Sequence, residues 1–471
     1  MKKRTAFKMP HTLVLIYALV IGVYILTLLV PSGEYKRVEK TIQGQAKLMT
    51  VPGTYSQTVK RYLGPEWLLI APIRGFQDGS LIIFLILIFG GTFAILGKSG
   101  AIEAGIQRLA LFFSRNPGSK KFVIPALMIV FSLAGGIYGM AEESIPFVLI
   151  FIPLAISLGY DSIVGVAIPF VGAALGFSAA FFNPFTVGIA QGFSDLPLYS
   201  GLVYRLILWT IATVIGITFV MIYAHRIAKD PKKSPVYEID RARGYAPSAD
   251  GTMSAPWGKS QKLILIMLLA GIGLLVFGIL ARGWYMEEIA ALFLGMGLIA
   301  GVIARMKPSD LAATFVAGAK DFLNVTLIIA GGRAILIILK EAVVLDTVLQ
   351  GAAGLISAVP GIITAQMMFL TQSVINFFVH SGTAQAALTM PIMAPLSDLV
   401  GITRQTTVLA FQLCEVINPI LPTSAVTMGV LGVALIPWEK WARWFAPLML
   451  ILVVFSLLAL IPPILGHWGP F

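Results

Sequence analysis

The chain has 471 residues, of which 58% are hydrophobic and only 12% are charged, about half the charged fraction of a soluble domain. This composition excludes an ordinary soluble protein and predicts an all-α protein that crosses a lipid bilayer several times. The net charge of +12 would suit a nucleic-acid-binding protein, but the basic residues crowd the connections between apolar segments, as the positive-inside rule describes. We therefore expect no nucleic-acid partner.

The N-terminal segment combines a basic end with a long apolar run. Lys2, Lys3, Arg4 and Lys8 precede the run, and no small-residue cleavage site follows it. We interpret it as a retained first span over about 11–31 rather than a signal peptide. The positive-inside rule then predicts a cytoplasmic N-terminus and a location in the inner (cytoplasmic) membrane.

A polar segment over 32–66 separates the first span from the second, expected at about 79–97. We expect 32–66 to be external and partly extended, although its six Lys and Arg residues oppose that orientation. The longest hydrophilic segment, about 225–262, carries eight Lys and Arg residues and several prolines, which is typical of a cytoplasmic linker. It divides the chain into a first half, 1–224, and a second half, 263–471. Further spans are expected at about 263–281, 287–304, 323–340 and 444–465.

The two halves carry the same sequence pattern in the same order. Asp78 and Asp321 precede matching apolar segments, each with a Gly-Gly pair, and they lie 243 residues apart. Pro153 recurs 242 residues later as Pro395, and an Asn-Pro pair recurs after 235 residues. An odd number of spans separates the matched segments. The pattern therefore predicts two inverted repeats, as in many secondary transporters.

Two apolar segments are interrupted near their middle. The segment at about 119–160 has too few apolar residues on either side of its middle for two crossings of about 20 residues each. We expect it, and its counterpart at about 359–397, to form re-entrant helical hairpins. The tip of the first contains Glu142 and Glu143, and the repeat offset matches Glu143 with Gln385 in the second.

The spans that follow the hairpins are also interrupted. The first of them, 162–191, contains Asn183-Pro184, and the second, 403–432, contains Asn418-Pro419. Proline removes a backbone donor and clashes with the preceding turn, and irregular backbone at membrane depth is tolerated where it is buried or lines a wet cavity. The two tips and the two broken spans are therefore predicted to converge on one substrate near the mid-membrane.

Three carboxylates lie near these breaks: Glu142, Glu143 and Glu415. A carboxylate at membrane depth costs at least about 2.5–3.5 kcal/mol on insertion scales. We expect at least one of them to face the site. The alternatives are a structural ion pair, for example with Arg333, and a partly protonated carboxyl that bonds to the backbone. Arg333 itself could pair with an acid or contact the substrate. His380 could relay protons or be a hydrogen-bonded structural histidine.

Several motifs together resemble the YfcC-type branch of the anaerobic C4-dicarboxylate carrier-like family, within the ion transporter superfamily. They are MAEESIPF, GYDSIVGVAIPFVGAALGF, NPFTVGIAQG, INFFVHSGTAQAALTMPIMAPLSDLVGITRQ and PTSAVTMGVLG. The resemblance spans nearly the whole chain. It implies a homodimer with a scaffold domain and a transport domain that moves as an elevator.

Carried over by this resemblance, the hairpin tips become 142–144 and 381–383, and the unwound segments become 183–186 and 418–424. Sodium-coupled dicarboxylate carriers of the superfamily have Ser-Asn-Thr at the sites that clamp carboxylates, whereas this chain has EES and SGT. Relatives in this branch are described as candidate exchangers of basic amino acids.

We therefore expect a secondary transporter, exchanger or symporter, of a small charged metabolite such as arginine or ornithine. One alternative is a proton- or sodium-coupled C4-dicarboxylate transporter, and a more distant one is an integral membrane enzyme. The single cysteine, the four histidines without metal-ligand spacing and the missing nucleotide-binding loop predict no metal, no cofactor and no ATP drive. The candidate substrate-binding residues are Glu142, Glu143, Ser144, Asn183, Thr186, Asn376, His380, Ser381, Gly382, Thr383, Gln385, Glu415, Asn418, Thr423 and Ser424.

Overall fold

A computed structural model gives the architecture of the chain. It describes residues 12–42, 45–51, 53–102, 104–105, 108, 117–242, 257–282, 284, 286–357 and 361–469. The basic residues at 2–8, on which the predicted orientation depends, lie outside this part.

The first half is mostly helical. Its helices are α1 (Thr12–Leu29), α2 (Trp67–Asp78), α3 (Ser80–Lys98), α4 (Pro117–Tyr138), α5 (Ile145–Ser157), α6 (Ser162–Val166), α7 (Gly172–Ser178), α8 (Ile189–Phe193), α9 (Leu202–Lys229) and α10 (Tyr237–Ala242). A π-helical segment, Ala167–Val171, joins α6 to α7, and another, Pro184–Gly188, leads into α8.

The second half is also mostly helical. Its helices are α11 (Lys259–Arg282), α12 (Met286–Ile303), α13 (Pro308–Lys320), α14 (Leu323–Glu341), α15 (Leu345–Ser357), α16 (Gly361–Phe378), α17 (Gly382–Leu399), α18 (Arg404–Leu413), α19 (Ala425–Ala434), α20 (Trp438–Ala459) and α21 (Ile461–Leu465). A 3-10 segment, Cys414–Ile420, follows α18.

Five helical segments of the described part are long and apolar enough to cross a membrane. They are Ser80–Lys98, Leu202–Lys229, Met286–Ile303, Arg404–Ala434 and Trp438–Leu465. The last of them begins about six residues before the predicted 444, because the Trp-rich turn at its start continues the helix.

The polar segment between the first two spans is partly extended, as predicted. Two short strands, β1 (Gly33–Glu34) and β4 (Ser56–Gln57), pair antiparallel, and β2 (Arg37–Ile42) pairs antiparallel with β3 (Gln45–Thr50). An ion pair of 2.8 Å between Arg37 and Asp346 fixes this segment to the start of α15.

The segment predicted as a linker, 225–262, is not a free connection at its ends. Helix α9 continues to Lys229, α11 begins at Lys259, and residues 243–256 lie outside the described part. The Ser234 hydroxyl donates to the Asp161 carboxylate at 2.7 Å, and the Lys440 ammonium donates to the Pro235 carbonyl at 2.6 Å. The start of the segment is therefore held against α6 and α20.

Helices α2 and α14 run antiparallel in close contact. Arg74 pairs with Glu341 at 2.8 Å, and further along α2 Gly79 lies against Ile329. A Cβ at Gly75 would stand 2.2 Å from the carbonyl oxygen of Ala330. The contact is close because this position has no side chain.

Helices α3 and α13 pack in the same way. The Lys98 ammonium donates to the Thr314 hydroxyl at 3.0 Å, while Gly90 on the same helix lies against Gly318. A Cβ at Gly318 would be 2.4 Å from the carbonyl oxygen of Gly90. Gly318 lies 243 residues after Gly75, so each half supplies one glycine contact to the other.

We predict that Gly75→Ala destabilises the protein, because the new methyl group would overlap the α14 backbone, and overpacking of this kind costs about 1–3 kcal/mol. Thermal unfolding in detergent measures the effect. Gly97→Ala is the matched control, since a Cβ there meets nothing within 4 Å. Equal unfolding temperatures for the two variants would contradict the prediction.

Candidate functional site

The two hairpins and the two broken helices meet around one cavity of about 500 Å³. The turns between α4 and α5 and between α16 and α17 contribute the hairpin tips. The breaks before α8 and α19 contribute residues of the two broken helices. The predicted residues that line the cavity are Glu142, Glu143, Ser144, Thr186, His380, Ser381, Gly382, Thr383, Glu415, Asn418 and Ser424.

Helix starts surround the cavity. The Asn183 side-chain oxygen accepts from the amides of Phe185 and Thr186, at 2.9 and 3.3 Å. The hydroxyls of Ser381 and Ser424 accept in the same way from the amides at the starts of α17 and α19. Each is an N-cap, and amide groups at a helix start carry partial positive charge. The site therefore offers positive potential as well as carboxylates.

The first tip is held by its own backbone. Helix α4 ends at Tyr138, and the next residue, Gly139, adopts φ +76° and lies against the Asn183 side chain. The Glu143 carboxylate accepts from the Ala141 amide at 2.9 Å, and the Ser144 hydroxyl donates to the Ala141 carbonyl at 2.6 Å. These bonds fix Glu143, which is 6% exposed, at the cavity wall.

Glu415 is buried at the break after α18. One of its oxygens accepts from the Asn418 amide group at 2.6 Å. The other oxygen, Oε1, has no hydrogen-bond partner among the described residues, and neither has the side-chain oxygen of Asn418 or of Thr186. A buried polar atom without a partner is costly, so these three buried oxygens beside the cavity are candidates for hydrogen bonds with a ligand.

Four predicted site residues, Asn183, Asn376, Gln385 and Thr423, lie behind the lining rather than in it. The Asn376 amide donates to the Gln385 carbonyl oxygen at 2.9 Å, and the Gln385 amide donates to Gln372 within the second hairpin. The matching of Gln385 with Glu143 by repeat offset thus pairs a supporting residue with a lining residue.

His380 and Thr423 couple the second tip to the second break. The His380 Nε2 atom lies 2.6 Å from the Thr423 hydroxyl, which is also 3.0 Å from the carbonyl oxygen of Phe377. On the opposite side, the Thr383 hydroxyl donates to the Phe185 carbonyl at 2.8 Å. The second tip is therefore hydrogen-bonded to both broken helices.

The sequence predicts Arg333 either as an ion-pair partner of these acids or as a contact of the substrate, and the structure gives it a different ion-pair partner. Its Nη1 atom lies 3.4 Å from the Asp78 carboxylate, and its side chain lines the cavity. Within the described part of the chain, Glu142, Glu143 and Glu415 form no ion pair with a Lys or Arg nitrogen inside 4 Å. The structural ion pair considered for these acids is therefore not formed.

The sequence reasoning also missed the apolar part of the lining. Phe170, Phe177 and Phe185 come from the first broken helix, and Trp284 and Met286 come from the turn between α11 and α12. The aromatic residue in a short turn between two spans was the available signal for Trp284.

Interrupted helices around a polar cavity, in a chain with several membrane-spanning segments, define a membrane transporter. The family model of the C4-dicarboxylate anaerobic carrier (DcuC) matches residues 9–464. The chain belongs to this family, as the sequence motifs indicated.

Two curated proteins are similar over nearly the full length. YfcC of Escherichia coli (strain K12), whose name describes a candidate basic amino acid antiporter, is 36% identical over 491 residues, covering 97% of this chain and 96% of that protein. An uncharacterized protein of Haemophilus influenzae is 25% identical over 489 residues, covering 95% of each.

Two solved transporters align with the chain. The YdaH transporter of Alcanivorax borkumensis is 16% identical with a TM-score of 0.41, covering 98% of this chain and 100% of that chain. MtrF of Neisseria gonorrhoeae, titled as illuminating a class of antimetabolite efflux pumps, is 16% identical with a TM-score of 0.41, covering 98% and 96%.

We predict that Asn183→Ala destabilises the first broken helix, because loss of an N-cap costs about 0.5–2 kcal/mol. A lower thermal unfolding temperature in detergent is the expected result. Asn324→Ala, at an exposed position of α14, serves as the control. If both variants unfold at the wild-type temperature, the Asn183 N-cap does not stabilise the first broken helix.

Proposed function

We propose that the protein is a secondary active transporter that exchanges a basic amino acid, such as arginine or ornithine. The observation that carries this proposal is the charge of the cavity, where three carboxylates, Glu142, Glu143 and Glu415, face one guanidinium, Arg333. A ligand with a positive side chain lowers the cost of holding these acids at membrane depth, whereas a dianion raises it.

The two ends of a basic amino acid match different parts of the lining. Its cationic group can bind the carboxylates, of which Glu415 has an oxygen with no partner among the described residues. Its α-carboxylate can bind the amide-rich helix starts capped by Ser381 and Ser424. The cavity of about 500 Å³ lies within the usual range for small-ligand sites.

The similarity to YfcC supports a basic amino acid as substrate, because that protein is named for this class of cargo. The family description favours a second candidate, a C4-dicarboxylate. In that case Arg333 and the helix starts would bind the two carboxylates, and the three acids would carry coupling protons or stand near sodium.

We predict that Glu143→Gln and Glu415→Gln each weaken arginine exchange in proteoliposomes, raising KM about tenfold or more, because each removes a charge-assisted bond. Labelled arginine uptake into arginine-loaded vesicles is the measurement. Glu66→Gln, which removes an exposed acid at the start of α2, is the matched control.

Competition separates the two candidates. Ornithine should displace labelled arginine from the wild-type protein, and succinate should not. Inhibition by succinate alone, with no arginine uptake above empty vesicles, would replace the basic amino acid with the dicarboxylate.

We further propose that the halves are inverted repeats. The antiparallel contacts support this, since α2 against α14 and α3 against α13 are equivalent pairs in which each half contributes one element. The corresponding segments 67–98 and 308–341 therefore run in opposite directions. Repeats that are related by a two-fold axis in the membrane plane have this arrangement.

We also propose an elevator mechanism, in which the chain is divided into a scaffold and a transport unit. The scaffold would contain α1–α3 and α11–α14, and the transport unit would contain the hairpins and the broken helices. We propose a homodimer in the inner membrane, with the N-terminus and the 225–262 segment in the cytoplasm, on the basis of the family resemblance and the charge pattern.

A cysteine pair across the two units tests the movement. A Cβ at Gly429 on α19 would stand 3.0 Å from the Ile86 side chain on α3, so Ile86→Cys with Gly429→Cys, in a Cys414→Ala background, should be bridged by Hg²⁺. We predict that bridging abolishes exchange and that excess thiol restores it. Each single-cysteine variant is the control, and full exchange by the bridged protein would contradict an elevator.

A further inference from the structure

Arg333 lies between two sets of acids. On one side is Asp78 at the end of α2, and on the other is the cavity with the acids of the first tip. Glu142 and His380 line the same cavity as Arg333. Arg333 is the one arginine or lysine among the lining residues that the structure describes.

The contact between Arg333 and Asp78 is loose. At 3.4 Å it exceeds the about 2.7–2.9 Å of a charge-assisted hydrogen bond. The two side chains are 29% and 44% exposed, and exposed pairs contribute little to stability. The guanidinium can therefore turn between Asp78 and the cavity at small cost.

The position of Arg333 on its helix favours movement relative to the tips. The preceding residue, Gly332, faces the second break, where a Cβ would stand 3.0 Å from the Thr423 carbonyl oxygen. Helix α14 packs mainly against α1 and α2, and it also contacts α19 and α3. The arginine is thus presented by one group of helices to acids carried by another.

We propose that Arg333 is a tethered competitor of the cationic substrate, and that Asp78 sets how strongly it competes. In the unloaded carrier the guanidinium partly neutralises the tip acids, and a bound basic amino acid displaces it toward Asp78. This inference rests on the proposed function, because it requires a cationic substrate.

Opposite effects of two substitutions test the proposal. With purified full-length protein, arginine binding measured by calorimetry should be about fivefold tighter for Arg333→Gln, which removes the competitor. It should be about fivefold weaker for Asp78→Asn, which frees Arg333 for the cavity. The double variant should bind like Arg333→Gln, since Asp78 acts only through Arg333. Lys340→Gln, which removes an exposed positive charge from the same helix, should bind like the wild type.

Each other result overturns a defined statement. Weaker binding by Arg333→Gln would make Arg333 a ligand of the substrate α-carboxylate, and unchanged binding by Asp78→Asn would remove Asp78 from the mechanism. If Arg333→Gln fails to fold, unchanged or tighter binding by Asp78→Asn still refutes the proposal. A wild-type protein that binds succinate but no arginine, ornithine or lysine would overturn the proposed function and the competitor with it.

Discussion

The cost of placing carboxylates at membrane depth governs the centre of this structure. Glu143 and Glu415 are 6% and 2% exposed, so bulk water does not solvate them, and the described part supplies neither with an ion pair. Their stabilisation comes from backbone and amide donors, the Ala141 N–H and the Asn418 side chain. The Ala141 N–H is free to bond the carboxylate because α4 has ended before it, whereas an intact helix uses its own N–H groups, and Asn418 lies in the 3-10 segment that follows α18. The acids and the breaks are therefore one feature.

The same reasoning explains how much the sequence predicted. Charge-free apolar runs, Asn-Pro pairs and polar tips are local signals, and they predicted a mostly helical fold, both interruptions in the spans and most of the polar side chains that line the cavity. Side-chain direction is not local. Gln385 and Asn376 were assigned to the site from their position at a tip, yet they bond to each other behind it. Whether a tip residue faces the cavity or points away from it depends on the helix packed against it.

Arg333 and Trp284 show a second limit of what the sequence can predict. Both lie outside the interrupted segments, so the breaks give no reason to choose Trp284, and the sequence indicates Arg333 only as a charge within a span that pairs with an acid or contacts substrate. Arg333 reaches the cavity because glycines at 75 and 332 allow α14 to approach α2 and the second break closely. A sequence shows that a Gly-Gly-Arg motif exists, but not which backbone it touches. The contribution of one group of helices to a site built by another is a property of tertiary packing alone.

Charge compensation also connects the site to exchange. Under the proposed function, an unloaded transport unit would carry three acids past the apolar side chain of Trp284 on the scaffold, without the guanidinium that α14 holds in place. A bound basic amino acid moves with the acids and keeps them compensated along the whole path. The loaded unit then meets a lower barrier than the empty one, because desolvated carboxylates without a cation are costly. Under this proposal, exchange would be faster than net flux because of this difference in barrier, without a separate gate for the empty carrier.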